Sequence, residues 1–196
     1  MIPRRAVLAT RFLALVSFCV VAAGCSEKMD QPAPQTSSAN PASAPKVLPA
    51  GAQFEAAQET VDAITQSLNS GVCSVENVVT VPENQSSPGA KPNSYVATRD
   101  KSYRVVGFAV NKDAGTVPAK VDIVLSGIKS YRLPVETGRP RQDVADFFKT
   151  PAFDKSGYMA DVAFSNVDPG DYAIYFVDNG TDKKVSCATN QSISIR

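Results

Sequence analysis

Val167-Asp168-Pro169-Gly170-Asp171-Tyr172 runs into Ala173-Ile174-Tyr175-Phe176-Val177 and stops at Asp178-Asn179-Gly180. The Pro-Gly pair breaks the chain. The run after it alternates, with Tyr172, Ile174 and Phe176 on one face of an extended segment. Asp-Asn-Gly is a hairpin signal, because Asn and Gly tolerate the positive φ that tight turns require. A tyrosine at the start of a strand, just past a turn, is placed to return its hydroxyl to the backbone it has left. That placement resembles the tyrosine corner of Greek-key sandwiches.

Neighbouring segments carry the same period. Lys120 to Ser126 puts Val121, Ile123 and Leu125 inward and Asp122 and Ser126 outward, and Gly127-Ile128 turns it into Tyr131-Arg132-Leu133. Tyr103 to Val110 has Val106, Phe108 and Val110 on one face and Tyr103, Val105 and Ala109 on the other. Apolar residues on both faces predict a central strand. Val75 to Val81 is rich in β-branched residues and ends at Pro82, and Tyr95 to Thr98 reads as a short strand. Tyr158, Ala160, Val162 and Phe164 alternate, and Lys184 to Ala188 and Ser192 to Ile195 close the chain. Arg139 to Phe148 reads as a loop with one helical turn. The expected fold is mainly β: an antiparallel, immunoglobulin-like β-sandwich over residues 73–196 with one N-terminal helix.

The helix is expected in a lead-in over residues 53–72. Phe54, Ala57, Val61, Ile64 and Leu68 recur at helical steps, Gln58, Glu59, Asp62 and Gln66 fill the other face, and Asn69-Ser70-Gly71 supplies a stop. Residues 25–52 read as a disordered tether. Pro32, Pro34, Pro41, Pro45 and Pro49 alternate there with Ser, Ala, Gln and Asn, so no apolar face offsets the entropy of ordering. Residues 1–24 carry arginines at the start and an apolar stretch from Phe12 to Ala23, which is signal-peptide anatomy.

Val21-Ala22-Ala23-Gly24-Cys25 resembles the lipobox of bacterial lipoproteins, with Ala22 where that family most often has Leu. The resemblance implies cleavage before Cys25, acylation of that cysteine and attachment to the membrane through lipid. Each buried methylene contributes about 0.8 kcal/mol. Ser26 is similar to an outer-membrane sorting signal, which implies a bacterial envelope location on the outer membrane, facing the periplasm.

Of four cysteines, Cys19 lies in the leader and Cys25 is the lipid site. Cys73 and Cys187 form no CxxC pair. In an oxidising compartment a disulfide between them is expected, with two separate buried thiols as the alternative.

Gly107-Phe108-Ala109-Val110-Asn111, Val121 to Gly127, Arg141-Gln142-Asp143-Val144, Ser156-Gly157-Tyr158 and Pro169-Gly170-Asp171-Tyr172 occur in that order. The order is similar to an uncharacterised sandwich domain of bacterial envelope proteins, including some attached to membrane glycosyltransferases. That domain more often shows Gly-Trp-Ala with an Asp, Arg-Pro-Asp-Val and Gly-Phe, where this chain has Phe108, Asn111, Gln142 and Tyr158. The resemblance covers residues 73–196. It implies the fold and an association with cell-surface polymers, and it carries over no catalytic residue.

The chemistry is bounded by what is missing. The chain has no histidine, so it holds no Ser-His-Asp triad and no histidine metal ligand. Net charge is +1; residues 1–24 hold Arg4, Arg5 and Arg11 and no acid, leaving −2 for the remainder. That balance gives no nucleic-acid footprint. Arg141 and Asp143 are candidates for a loop-fixing salt bridge, with ligand binding as the alternative. Tyr131, Arg132 and Tyr158 are candidate contacts for a saccharide face, with packing as the alternative. No cofactor, metal or catalytic residue is expected. The expected function is a non-catalytic binding or interaction module for a glycan or a partner protein; the alternative is an assembly accessory of an envelope machine. Cys25→Ala is expected to leave an unprocessed precursor without acyl label in metabolic labelling; normal processing would reject the lipoprotein reading.

Overall fold

Among the described residues, alternation at period two is realised as ten strands in two sheets. The structure is a computed structural model that describes residues 51–58, 61–66, 71–178 and 185–196. Along the chain lie β1 (Ala52–Gln53), β2 (Glu55–Ala57), α1 (Val61–Gln66), β3 (Gly71–Val81), β4 (Ser94–Ala97), β5 (Ser102–Asn111), β6 (Lys120–Ser126) and β7 (Ser130–Glu136). Then come α2 (Gln142–Phe148), a 3-10 turn (Pro151–Phe153), β8 (Gly157–Ala163), β9 (Gly170–Asp178) and β10 (Val185–Ile195). One sheet has the order β1-β8-β5-β3 and the other β2-β7-β6-β9-β10-β4. The expected signal peptide and tether up to residue 50, with Cys25, lie outside the described residues, as do residues 59–60, 67–70 and 179–184, where the sequence predicts a turn at Asn179-Gly180.

The strands facing each other bury one core. Val75, Val78, Tyr103, Val105 and Val162 of the four-stranded sheet pack with Val121, Ile123, Leu125, Ile174 and Phe176 of the six-stranded sheet. β5 is central, between β3 and β8, as its two apolar faces predict. Its second face packs under α2, where Val110 meets Val144, Ala145 and Phe153. Tyr172 donates its hydroxyl hydrogen to the Asp168 carbonyl at 2.8 Å, closing the tyrosine corner. Tyr131 completes it by accepting a hydrogen bond from the Asp168 amide at 3.2 Å.

Three expectations need correction. The sheets are mixed rather than purely antiparallel, because β1 runs parallel to β8 and β4 parallel to β10. The helix is confined to Val61–Gln66 among the described residues, and the segment before it is strand. Two of the apolar residues that line up as one helical stripe, Phe54 and Ile64, are buried in different places. Phe54 lies in the inter-sheet core, stacked on Phe164 at 5.2 Å. Ile64 instead covers Val124 and Val177 on the outer face of the six-stranded sheet. At Phe54 the chain crosses from one sheet to the other, so the folded body starts before residue 53. Ser126, expected outward, is buried.

Cys73 and Cys187 form the disulfide, with sulfurs 2.06 Å apart and a sequence separation of 114 residues. It ties the edge strand β3 to β10 of the opposite sheet. Two residues on, β3 bulges between Val75 and Asn77. There the Gln191 side chain reads the Val75 backbone as a strand would: its Oε1 accepts from the Val75 amide at 2.8 Å and its Nε2 donates to the Val75 carbonyl. Tyr95 donates to the same carbonyl at 2.9 Å. Gly107 faces this bulge, and Tyr158 lies across it to donate to the Ser74 carbonyl at 3.1 Å. Burial pushes the Tyr158 hydroxyl well above the ordinary tyrosine value, so it stays protonated as a donor.

A side chain at Gly107 has no room: a Cβ would sit 2.0 Å from the Ser74 carbonyl oxygen and 2.5 Å from the Tyr158 hydroxyl. Gly107→Ala is therefore expected to destabilise by about 3 kcal/mol, since backbone and a buried ring must both move. Tyr172→Phe, which removes one hydrogen bond at the corner, is expected to cost about 1 kcal/mol. Urea denaturation of the two variants checks the ranking, and equal midpoints would contradict it.

Candidate functional site

Arg141 precedes α2 and is held from three directions. Its Nε and Nη2 donate to Asp143 at 2.8 and 2.6 Å. Its Nη1 and Nη2 donate to the two Glu76 oxygens, each at 2.8 Å. Its guanidinium carbon lies 5.2 Å from the centre of the Phe108 ring, a cation–π contact. The Arg141 amide also donates to the Asp154 carbonyl at 2.6 Å. The side chain is 17% exposed, and its fork is occupied by carboxylates. The arrangement is a clamp that seats the α2 segment on the four-stranded sheet. The salt bridge for which Arg141 and Asp143 are candidates is present. Hydrogen bonds from Arg141 lower the Asp143 carboxyl to about 2.

Glu76 is the member that sequence reading missed. The β3 bulge leaves Glu76 and Asn77 exposed in succession between buried Val75 and Val78. Two polar residues in a row inside an otherwise apolar β-branched run break the period-two pattern, which is the signature of a bulge.

Tyr131 and Tyr158 are not surface residues. Tyr158 is 0% exposed and packs on Phe176 with ring centroids 5.3 Å apart. Tyr131 is 4% exposed and packs edge-on to Tyr172. Both occupy inward positions of their strands, so neither ring presents a face to a sugar. Arg132, one position on from Tyr131, points the other way and is exposed.

Arg132 borders a groove of about 680 Å³ on the outer face of the six-stranded sheet. Glu55, Asp122, Pro134, Val177 and Asp178 line it with Arg132, and the segment from Thr116 to Lys120 closes one end. The groove exists because of the strand switch at Phe54. β2 pairs only with Ser130, Tyr131 and Arg132 of β7, and upstream the chain has crossed to β8. The rest of β7 has no strand on that side among the described residues. Pro134 stands there, lacking the N–H that would recruit a foreign strand. Arg132 also borders a second opening beside Ala56, Ala57, Gln58 and Ala63.

Charges in the groove are unevenly committed. Asp122 and Asp178 each interact within the protein. Lys120 and Arg132 make no ion pair among the described residues. No aromatic side chain lines the groove among the described residues. Among them, too, no group of three His, Cys, Asp or Glu side chains is arranged to hold a metal. Cys25 lies outside the described residues.

No family model matches the chain, no curated protein matches it, and no solved structure matches it. The functional reading therefore rests on the chain's own residues.

The clamp has a pH signature. Asp143 has a folded value of about 2, below the ordinary unfolded value of about 3.9. Its contribution is therefore fully present above the unfolded value and is lost as pH falls through the folded one. Carboxyl NMR titration is expected to find the Asp143 midpoint near 2 in the native protein, and at an ordinary value in Arg141→Gln. An unshifted native midpoint would reject the clamp.

Proposed function

We propose that the chain is a lipid-anchored lipoprotein of the bacterial envelope whose sandwich serves as a non-catalytic binding or interaction module. The observation that carries this reading is the groove at Arg132, which holds charged groups left uncommitted by the fold. Supporting it, the Cys73–Cys187 disulfide suits an oxidising compartment, the lipobox-like Val21 to Cys25 suits a membrane anchor, and Ser26 suits the outer membrane. The finer fold assignment, an immunoglobulin-like sandwich, is supported by the tyrosine corner and by the disulfide between opposite sheets.

Of the two ligand classes, a partner protein is favoured over a glycan. The aromatic platforms a saccharide face would use, Tyr131 and Tyr158, are in the core, and among the described residues the groove offers none in their place. A second reading, an assembly accessory, is favoured by Phe147, 80% exposed at the end of the clamped α2 segment, where it presents an aromatic anchor.

A photocrosslinking residue placed at position 134 in producing cells tests the module reading, with position 104 on the opposite sheet as the control. A discrete adduct from 134 that is missing from 104 is expected. No adduct at 134, or the same adducts from both positions, would reject a binding role for the groove; adducts from position 147 alone would favour the accessory reading.

A further inference from the structure

We propose that the open edge of β8 is a docking surface for this chain's own Leu48-Pro49-Ala50, which adds to it as a short parallel strand continuing β1. This strap is independent of the groove at Arg132 and goes beyond the binding role. It sets where the segment leading to Cys25 leaves the sandwich.

The edge has a gap of defined size. At one end Arg139 covers β8, exchanging hydrogen bonds with Gly157 at 2.9 and 3.1 Å. At the other end β1 covers Val162 and Ala163. Gly157 thus turns its amide and carbonyl to the edge. Ser156 turns its carbonyl the other way, to the Ala109 amide of β5 at 3.1 Å. Alternation along a strand carries the outward set on to Met159 and Asp161. Among the described residues no strand or bridge pairs with Met159 on that side, or with the Asp161 amide. The Met159 side chain is exposed and Ala160 is half-buried.

The chain arrives at this gap in the right direction. β1 runs parallel to β8, with Ala52 beside Val162. At Gly51 the backbone is still against β8: a Cβ there would sit 2.8 Å from the Val162 carbonyl carbon and 3.0 Å from the Asp161 carbonyl oxygen. The φ of Gly51 is +133°, a conformation left to glycine, and it allows this close approach. Counting back in the same register puts Ala50 beside Ala160, Pro49 beside Met159 and Leu48 beside Tyr158.

The residue types suit that register. In a parallel ladder every second residue bonds to the neighbouring strand. Val162 faces β5, so Ala52 bridges Asp161 and Ala163, and Ala50 and Leu48 belong to the same set. The Ala50 amide then donates to the Met159 carbonyl, and its carbonyl accepts from the Asp161 amide. The Leu48 carbonyl accepts from the Met159 amide. Pro49 falls on the alternate set, turned away from β8, where an edge strand tolerates a residue without an N–H. Pairing ends at Leu48, because the next carbonyl along β8 belongs to Gly157 and is taken by Arg139. Three open groups on β8 thus meet three matching groups on a segment already tethered beside them, which favours the chain itself over a foreign strand.

Hydrogen exchange of the Met159 and Asp161 amides in the purified full chain, resolved by NMR, tests the strap, with the amides of β5 as internal reference. Both amides are expected to exchange slowly, at a rate independent of protein concentration. Ala50→Pro removes the donor to Met159 and should speed both about tenfold while β5 stays protected. Val47→Pro alters a residue beyond the pairing and should leave both slow. Fast exchange of both amides in the unaltered chain would overturn the proposal, as would indifference to Ala50→Pro or an equal effect of Val47→Pro. Protection that grows with protein concentration would also overturn it, by assigning the edge to a second copy of the chain.

Discussion

At Val75, the last partner of Gly107 before the β3–β5 register shifts, the edge strand of one sheet is held as well by a side chain of the other. Gln191 supplies an acceptor and a donor to the same residue, as a neighbouring strand would, and Tyr95 adds a second donor. The substitution of a side-chain amide for a backbone lets β3 bulge without leaving Val75 unpaired in a buried place, where a lost partner costs about 1–3 kcal/mol. The consequences spread in both directions. Upstream, Cys73 reaches Cys187. Downstream, Glu76 turns outward and captures Arg141, which seats α2. Across the sheet, Gly107 leaves room for Tyr158 to span the bulge.

The same economy governs the sheet edges. On one side the N-terminal segment pairs first with β8 and then with β7, so one short stretch covers an edge of each sheet. On the other side the loop after β3 bridges the gap, with Val79 paired to Ser86 and Pro88 to Tyr95. Covered edges discourage association strand to strand. What the crossing at Phe54 leaves over is the outer face of β7 beyond Arg132, and this is where the fold has charges to spare.

Much of this was legible from local pattern. The alternation of Lys120 to Ser126 and Tyr172 to Val177 located β6 and β9, because one buried face forces period two. The Pro-Gly-Asp-Tyr stretch marked the corner, and the close spacing of Arg141 and Asp143 marked their pair. What stayed hidden depends on distant partners. Phe54 and Ile64 fit one helical stripe, yet the tertiary fold buries them on different sides of a sheet. Tyr131 and Tyr158 are residue types equally at home in a core and in a sugar site, and only the pleat decides which face they take. Arg132 was legible as a candidate by type, but its groove was not, since the groove is defined by where β2 stops.

The dependence of the whole on the Val75 junction is open to one direct measurement, the hydrogen exchange of the Val75 amide. If Gln191 holds β3 to the opposite sheet, this amide exchanges as slowly as those of central β5. In Gln191→Ala it then exchanges much faster, together with the amides of the α2 segment that Glu76 and Arg141 secure. Fast exchange at Val75 in the unaltered protein, or an acceleration in Gln191→Ala that stops at Val75 and leaves α2 protected, would contradict the account.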